Sequence, residues 1–222
     1  MSSAVIQLLV LAGIAIFLIL RLKSVLGTRE GYEKPPLPMG DSPEPNAPAR
    51  RNFDVIEGGP DADITDHVAE GSTAADALSA MKMAEPGFHV GDFLHGARGA
   101  YEMILMAFEN GDLESILPFL SRDVYDTLAE VVELREREGL TVQATFVGVR
   151  EVTLVAAAFD RTSREAEITV RFVGELTSVV RNQAGEIVEG NPNEIKRQKD
   201  VWTFARVMGS DNPNWQLVAT GE

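Results

Sequence analysis

Cysteine is absent from the 222 residues. That excludes a disulfide framework, a thiolate metal site and a thiol nucleophile. Histidine is scarce: His67, His89 and His95 are the only three, and no pair of them has metal-ligand spacing, so no metal is expected. Basic residues are also too few for one class of partner. Twenty Lys and Arg stand against 34 Asp and Glu, a net charge of −14, whereas binding phosphate backbones needs concentrated cations. Nucleic acid is therefore not an expected partner. No motif asks for a cofactor.

One long apolar run is present, Ala4 to Leu20, interrupted only by Gln7 and followed by Arg21 and Lys23. About 17 helical residues come close to the shortest bilayer span, and a snorkelling Arg21 extends the segment to residues 4–22. A secretory signal peptide needs cations before the run and a small-residue cleavage site after it. The run has neither, so it reads as an uncleaved single-pass anchor. Arg21 and Lys23 set the topology, because positive charge on the carboxyl side alone keeps that side in the cytoplasm.

Periodicity then disappears. KPPLPMGDSPEPNAP is rich in proline, and FDVIEGGPDADITDHVAEGST is acidic and thinly apolar. Residues 23–86 accordingly read as a disordered, extended tether with little to bury. One short helix, from Thr73 to about Met83, is compatible with Leu78 and Met81 forming a modest apolar edge. Within the tether, FDVI (Phe53 to Ile56) is the one apolar foothold for a partner.

The head, residues 87–222, opens with its organising element. Phe93, Ala97, Ala100/Tyr101, Ile104 and Phe108 recur at three- and four-residue steps, one face of a helix. Asp92 is placed to cap it and Gly111 to end it. Asp112 begins a shorter helix to about Phe119. Ser121 caps a third, with Val124, Leu128, Val131/Val132 and Leu134/Arg135 facing inward, which ends at Gly139. Beyond this the period changes from 3.6 to 2. Thr141 to Phe159 reads as a long strand bent at Gly148. In Glu165 to Leu176, Ala166, Ile168, Val170, Phe172 and Leu176 share a buried face, and Glu165, Glu167, Thr169, Arg171 and Glu175 a wet one. Turns at NQAGE and GNPNE precede strands at Ile195 to Val207 and Trp215 to Thr220. Helices followed by antiparallel strands give an α+β fold, the helices packed on one side of a curved sheet.

The segments GFHVGDFLHGARGAYEMILMAFENGDLESILPFLSRDVYDTLAEVVELREREG, ITVRFVGELTS, DVWTFAR and SDNPNWQLVAT, in that order, resemble the Tim-forty-four-like domain family. RLKSVLGTREGYEKPP is similar to the post-anchor segment of its alphaproteobacterial members. The resemblance implies a nuclear-transport-factor-two-like cone, a bacterial inner-membrane location, and partners such as a translocase, a DnaK-type chaperone and acidic membrane lipid. The mitochondrial relative tethers such a chaperone to the import channel. This chain differs in having an anchor of its own and in lacking the long charged region that engages the chaperone.

Two binding sites and one catalytic possibility follow. Phe93, Tyr101, Ile104, Phe108, Phe172, Trp202 and Trp215 are the candidates to line an apolar pocket in the cone, for an acyl chain or a peptide side chain. Core packing is the first explanation for Tyr101, Trp202 and Trp215, and the pocket rests on the concave fold. Lys196, Arg197 and Lys199 form the one dense basic cluster and are the candidates for contact with acidic lipid, unless they only protect a strand edge. An isomerase or hydratase on such a fold would need an acid–base pair. Spacing forces none together among Tyr101, Glu102, Tyr125, Asp126 and His95, and no catalytic residue is assigned. The expectation is a non-catalytic membrane-anchored adaptor in protein translocation or membrane-protein quality control, with a lipid or small-ligand receptor as the alternative.

Overall fold

The computed structural model describes residues 61–221. The expected anchor at 4–22, Arg21 and Lys23, and the tether up to residue 60 lie outside the described residues. Among the described residues no helix is long and apolar enough to cross a membrane.

Among the described residues, four α-helices and five strands follow in order: α1 (Ala62–Thr65), α2 (Thr73–Ala84), α3 (Val90–Asn110), a 3-10 turn at Glu114–Phe119, α4 (Arg122–Arg137), β1 (Thr141–Phe159), β2 (Glu165–Arg181), β3 (Ile187–Gly190), β4 (Lys196–Val207) and β5 (Gln216–Gly221). The sheet runs β1-β2-β4-β5, with β3 paired to the end of β2, and every pairing is antiparallel. Three irregularities in the β1–β2 register, the first beside Gly148, bend the sheet. Helices α2 and α3 rest against β1 on the concave side. This is the α+β arrangement that the change of period predicts.

Helix α3 buries Phe93, Ala97, Tyr101 and Ile104 as its spacing requires, while Ala100 and Phe108 are half-buried. Burial of each large side chain contributes roughly 1.5–3 kcal/mol, which makes α3 the spine of the head. Its partner face on β2 is the alternating set Ala166, Ile168, Val170 and Phe172, all without solvent exposure. Gly111 ends α3 in the left-handed conformation, φ 74°, and Ser121 caps α4 by accepting from the Val124 N–H.

Several expectations need correction. Residues 61–86 do not behave as tether: Ile64, Ala75, Leu78 and Met81 are buried in the same core as α3. The segment is too thinly apolar to fold alone, but it has a concave sheet to lie on. Asp92 does not cap α3. The helix starts earlier, at Val90, and the carboxylate of Asp63 caps it from 27 residues away, accepting from Val90 N–H at 2.9 Å and Gly91 N–H at 3.0 Å. Glu175 is not wet but buried, beneath Arg150 and Arg197, which bond its two oxygens. On α4 only Val124 is fully buried; Leu128 and Val132 are half-covered, and Val131 and Leu134 are exposed. The helix is long enough to overhang the sheet it packs on.

Asp63 also receives Lys82 Nζ at 2.9 Å. Partial burial acts to raise its carboxyl pKa, but hydrogen bonds from Gly91, Lys82 and Val90 outweigh it and hold the value at about 2, against 3.8 in the unfolded chain. A depressed folded value stabilises the fold above about pH 4, and the contribution disappears as pH falls through about 2. Asp63→Ala is expected to cost roughly 1–2 kcal/mol in urea unfolding at pH 7. The difference from wild type should shrink between pH 4 and pH 2; a difference independent of pH would show that the cap is not electrostatic.

Candidate functional site

Alternation on β4 turns Asp200, Trp202, Phe204 and Arg206 toward α3, and the sheet register places Phe172 opposite Asp200 and Val170 opposite Trp202. These side chains fill the space under the helix. Tyr101 stacks on Phe172 with ring centres 4.6 Å apart and planes 13° from parallel, and Trp202 lies 4.8 Å from it. Tyr101 has no solvent exposure and Trp202 only 5%. The Tyr101 hydroxyl donates to Asp200 Oδ2 at 2.5 Å, and Gln198 Nε2 donates to Oδ1 at 3.1 Å. Burial, then the neighbouring Asp200 carboxylate, push the phenol pKa well above its ordinary value. Ring and hydroxyl fit so closely that a Cβ at Gly174 would stand 2.6 Å from the Tyr101 oxygen.

The seven residues expected to line one pocket therefore separate. Tyr101, Ile104, Phe172 and Trp202 are interior packing. Phe108, at the far end of α3, lies under the Arg135 guanidinium, 4.5 Å from its ring centre. Phe93 and Trp215 do line an opening, a groove of about 340 Å³ at the other end of the helix.

That groove is built from three pieces of chain. The α2–α3 elbow supplies Glu85, Phe88 and His89, the first turns of α3 supply Asp92, Phe93 and Gly96, and the segment from β4 to β5 supplies Arg206, Asn214 and Trp215; Phe119 and Phe204 complete the apolar wall. Trp215 stands edge-on to Phe93 at 4.7 Å and 6.0 Å from Phe88. Phe93 in turn meets Phe204 at 6.1 Å, so the groove wall continues into the core. A Cβ at Gly96 would meet nothing within 4 Å, which leaves one side of α3 open there.

Charge pins the elbow in place. Glu85 Oε2 accepts from Arg206 Nη2 and from the Gly209 N–H, both at 2.6 Å. The Arg206 hydrogen bond holds the Glu85 carboxyl below its usual range despite partial burial. Arg206 is 9% exposed, its guanidinium sits 5.4 Å from the Trp215 ring centre, and its Nε has no hydrogen-bond partner. Arg164 Nη2 donates to Ala84 O, the end of α2, and occupies the space a Cβ would need at Gly209 (φ 71°). An aromatic cleft with Asp92, His89 and a paired Glu85–Arg206 at its rim can hold an apolar side chain or chain segment with polar flanks.

The basic cluster also divides. Arg197 and Lys199 point to the convex side of the sheet, whereas Lys196 lies on the helix side, opposite the buried Leu176. Of the catalytic possibilities, Tyr101 is sealed against Asp200, and Asp126 accepts from Arg122. Among the described residues no group of three or more His, Asp and Glu could hold a metal. The sequence reading missed the elbow and Arg206. Alternation alone could have found Arg206, a charged residue continuing the inward series Trp202, Phe204.

The family profile of the Tim44-like domain matches residues 74–222. The chain belongs to the Tim44-like domain family. The match begins within α2 and so takes in the elbow and the groove of this Tim44-like head. Human mitochondrial import inner membrane translocase subunit TIM44 is 24% identical over 147 residues, 65% of this chain and 32% of that protein. The Rattus norvegicus subunit gives the same figures. Probable mitochondrial import inner membrane translocase subunit tin-44 of Caenorhabditis elegans is 25% identical over 118 residues, 52% of this chain and 27% of its own. The chain thus spans only about a third of the length of these curated relatives. The crystal structure of the intermembrane space region of chloroplast protein ARC6 aligns with a TM-score of 0.36 and 10% identity, over 54% of this chain and 85% of that one.

If the Tyr101–Asp200 pair is core and not site, Tyr101→Phe should cost about 1–3 kcal/mol in urea unfolding, because it removes a bond to a buried carboxylate. Ligand binding at the groove should stay unchanged. A variant of wild-type stability with altered binding would return Tyr101 to the site.

Proposed function

We propose that this Tim44-like protein is a non-catalytic adaptor in protein translocation, held at a membrane and binding its client or partner at the Phe88–Phe93–Trp215 groove. The observation that carries this reading is the groove itself. It is an open aromatic cleft within the span that matches the family profile, and curated relatives of the chain carry the name of an import translocase subunit. In full, the reading is a single-pass anchor at residues 4–22, a tether beginning at residue 23, and a head of the nuclear-transport-factor-two-like cone type on the cytoplasmic side of a bacterial inner membrane. Partners under this reading are a translocase or a DnaK-type chaperone, and the tether confines the search for them to the membrane surface.

A lipid or small-ligand receptor is the second reading, favoured by the apolar wall of the groove, which would suit a short length of acyl chain. Lys199 and Arg197 could meet anionic headgroups only with the convex face, and Lys196 only with the other.

A photoreactive benzoyl-phenylalanine in place of Asn214, at the groove rim, separates the two readings in intact cells. The adaptor reading predicts crosslinks to translocase subunits, a chaperone or chains in transit, and their loss when Trp215→Ala is added. Crosslinks confined to lipid would replace the adaptor reading with the receptor one, and none above background would contradict both.

A further inference from the structure

The convex face of the sheet carries an arrangement that the groove reading does not use. Glu175, on β2, is 7% exposed, and its two oxygens are taken by arginines from both neighbouring strands: Arg150 Nε of β1 at 2.8 Å and Arg197 Nη2 of β4 at 3.1 Å. Both arginine side chains remain open to solvent, 67% and 62% exposed. The Arg150 hydrogen bond, against a smaller opposing effect of burial, and then that of Arg197 keep the carboxyl of Glu175 below its usual range. Glu175 therefore acts as an ionised post that holds two guanidiniums in fixed places while neutralising only one of them. Each arginine uses one nitrogen on Glu175, which leaves the rest of its donors facing outward.

The same face continues the pattern. Arg171, four residues along β2 and on the same face, bonds Glu151 at 3.0 Å, and Lys199 stands opposite Val173, between Glu175 and Arg171 along the strand. Val173 is 9% exposed beneath these side chains. Four cations thus share a strip of sheet with two carboxylates, in a chain whose net charge is −14. Local positive charge against that background is not what a general solubilising surface produces.

We propose that this strip is a docking surface for an acidic polypeptide segment in extended conformation. Spacing favours this occupant. Arg197 and Lys199 are two residues apart on one strand, so they project about 7 Å apart, the distance between acidic side chains at alternate positions of an extended peptide. Guanidiniums held in advance by Glu175 bind a carboxylate bidentately without first being ordered. An anionic membrane fits less well, because the same face turns acidic along β2 at Glu165 and Glu167, both exposed. A flat lipid surface would press these against its own charge. The strip lies on the opposite side of the sheet from Arg206 and the groove, so the two surfaces can be occupied together, and neither depends on the other.

The test uses the full chain in non-ionic micelles and a fluorescein-labelled peptide of alternating Glu and Thr, with binding read by anisotropy. Wild type should bind at about 0.02 M salt and lose roughly tenfold in affinity near 0.3 M, as screening shortens. R171Q/K199Q leaves Glu175 its two arginines and is expected to weaken binding at least about fivefold, and R150Q/R197Q to remove most of it. A melting curve on each variant checks that the fold is retained; Trp215→Ala should not alter peptide binding. No binding by wild type, or equal binding by R171Q/K199Q, overturns the proposal. It is also overturned if these variants lose attachment to micelles doped with phosphatidylglycerol while the peptide never binds.

Discussion

The contact on which the head depends is the stack of Tyr101 on Phe172 beneath Trp202, closed by the Tyr101 hydroxyl on Asp200. A helix with one apolar stripe gains little by itself. Set into a curved sheet, it buries that stripe, and the one polar atom carried inside must then find a partner. Asp200 supplies it from β4, which fixes the angle of α3 across β2 and β4 together. Gly174 leaves the room this needs. Among the described residues the rings fill the space beneath the middle of α3. Any opening must lie at an end of the helix, where the packing runs out.

The groove of about 340 Å³ lies at the end where the chain turns from α2 into α3, and a smaller pocket of about 120 Å³ at the Gly111 end. That elbow is held by Glu85 on Arg206 and Gly209, by Arg164 on the last carbonyl of α2, and by Asp63 on the first N–H groups of α3. Each of these bonds joins segments far apart in sequence. Together they make residues 61–86 part of the head and give the groove a wall that does not depend on hydrophobic burial alone. The sheet meanwhile offers a convex side with its own ordered charges around Glu175. This Tim44-like head thus carries two chemically different surfaces, one aromatic and one cationic.

Much of this was readable in the sequence where the determinant is local. The β1 bounds, Thr141 and Phe159, follow from a period of two, and Gly111 and Ser121 mark helix ends by their own chemistry. Local reasoning failed wherever a distant residue decided the matter. Asp92 looked like a cap because it precedes an apolar residue, but Asp63 approaches from another helix and wins with two bonds. Glu175 followed the alternation of a wet face until two arginines from adjacent strands covered it. Spacing marked Tyr101, Phe172 and Trp202 as inward-facing, yet it could not tell a lined pocket from a filled one. That difference rests on ring distances of 4.6 and 4.8 Å, which only the assembled sheet sets. β3 was missed because its four residues are exposed throughout and carry no pattern.

The central claim is that the interior is closed and the opening is at Trp215. The chain's two tryptophans report on these places separately: Trp202 sits in the stack and Trp215 in the groove. Acrylamide quenching of the single-tryptophan variants W202F and W215F tests it directly. The account predicts that the Trp215 emission of W202F is quenched readily and is protected when a partner occupies the groove, while the Trp202 emission of W215F resists quenching in either state. Ready quenching of Trp202, or partner protection at Trp202 and not at Trp215, would show that the interior is the binding site and contradict the account.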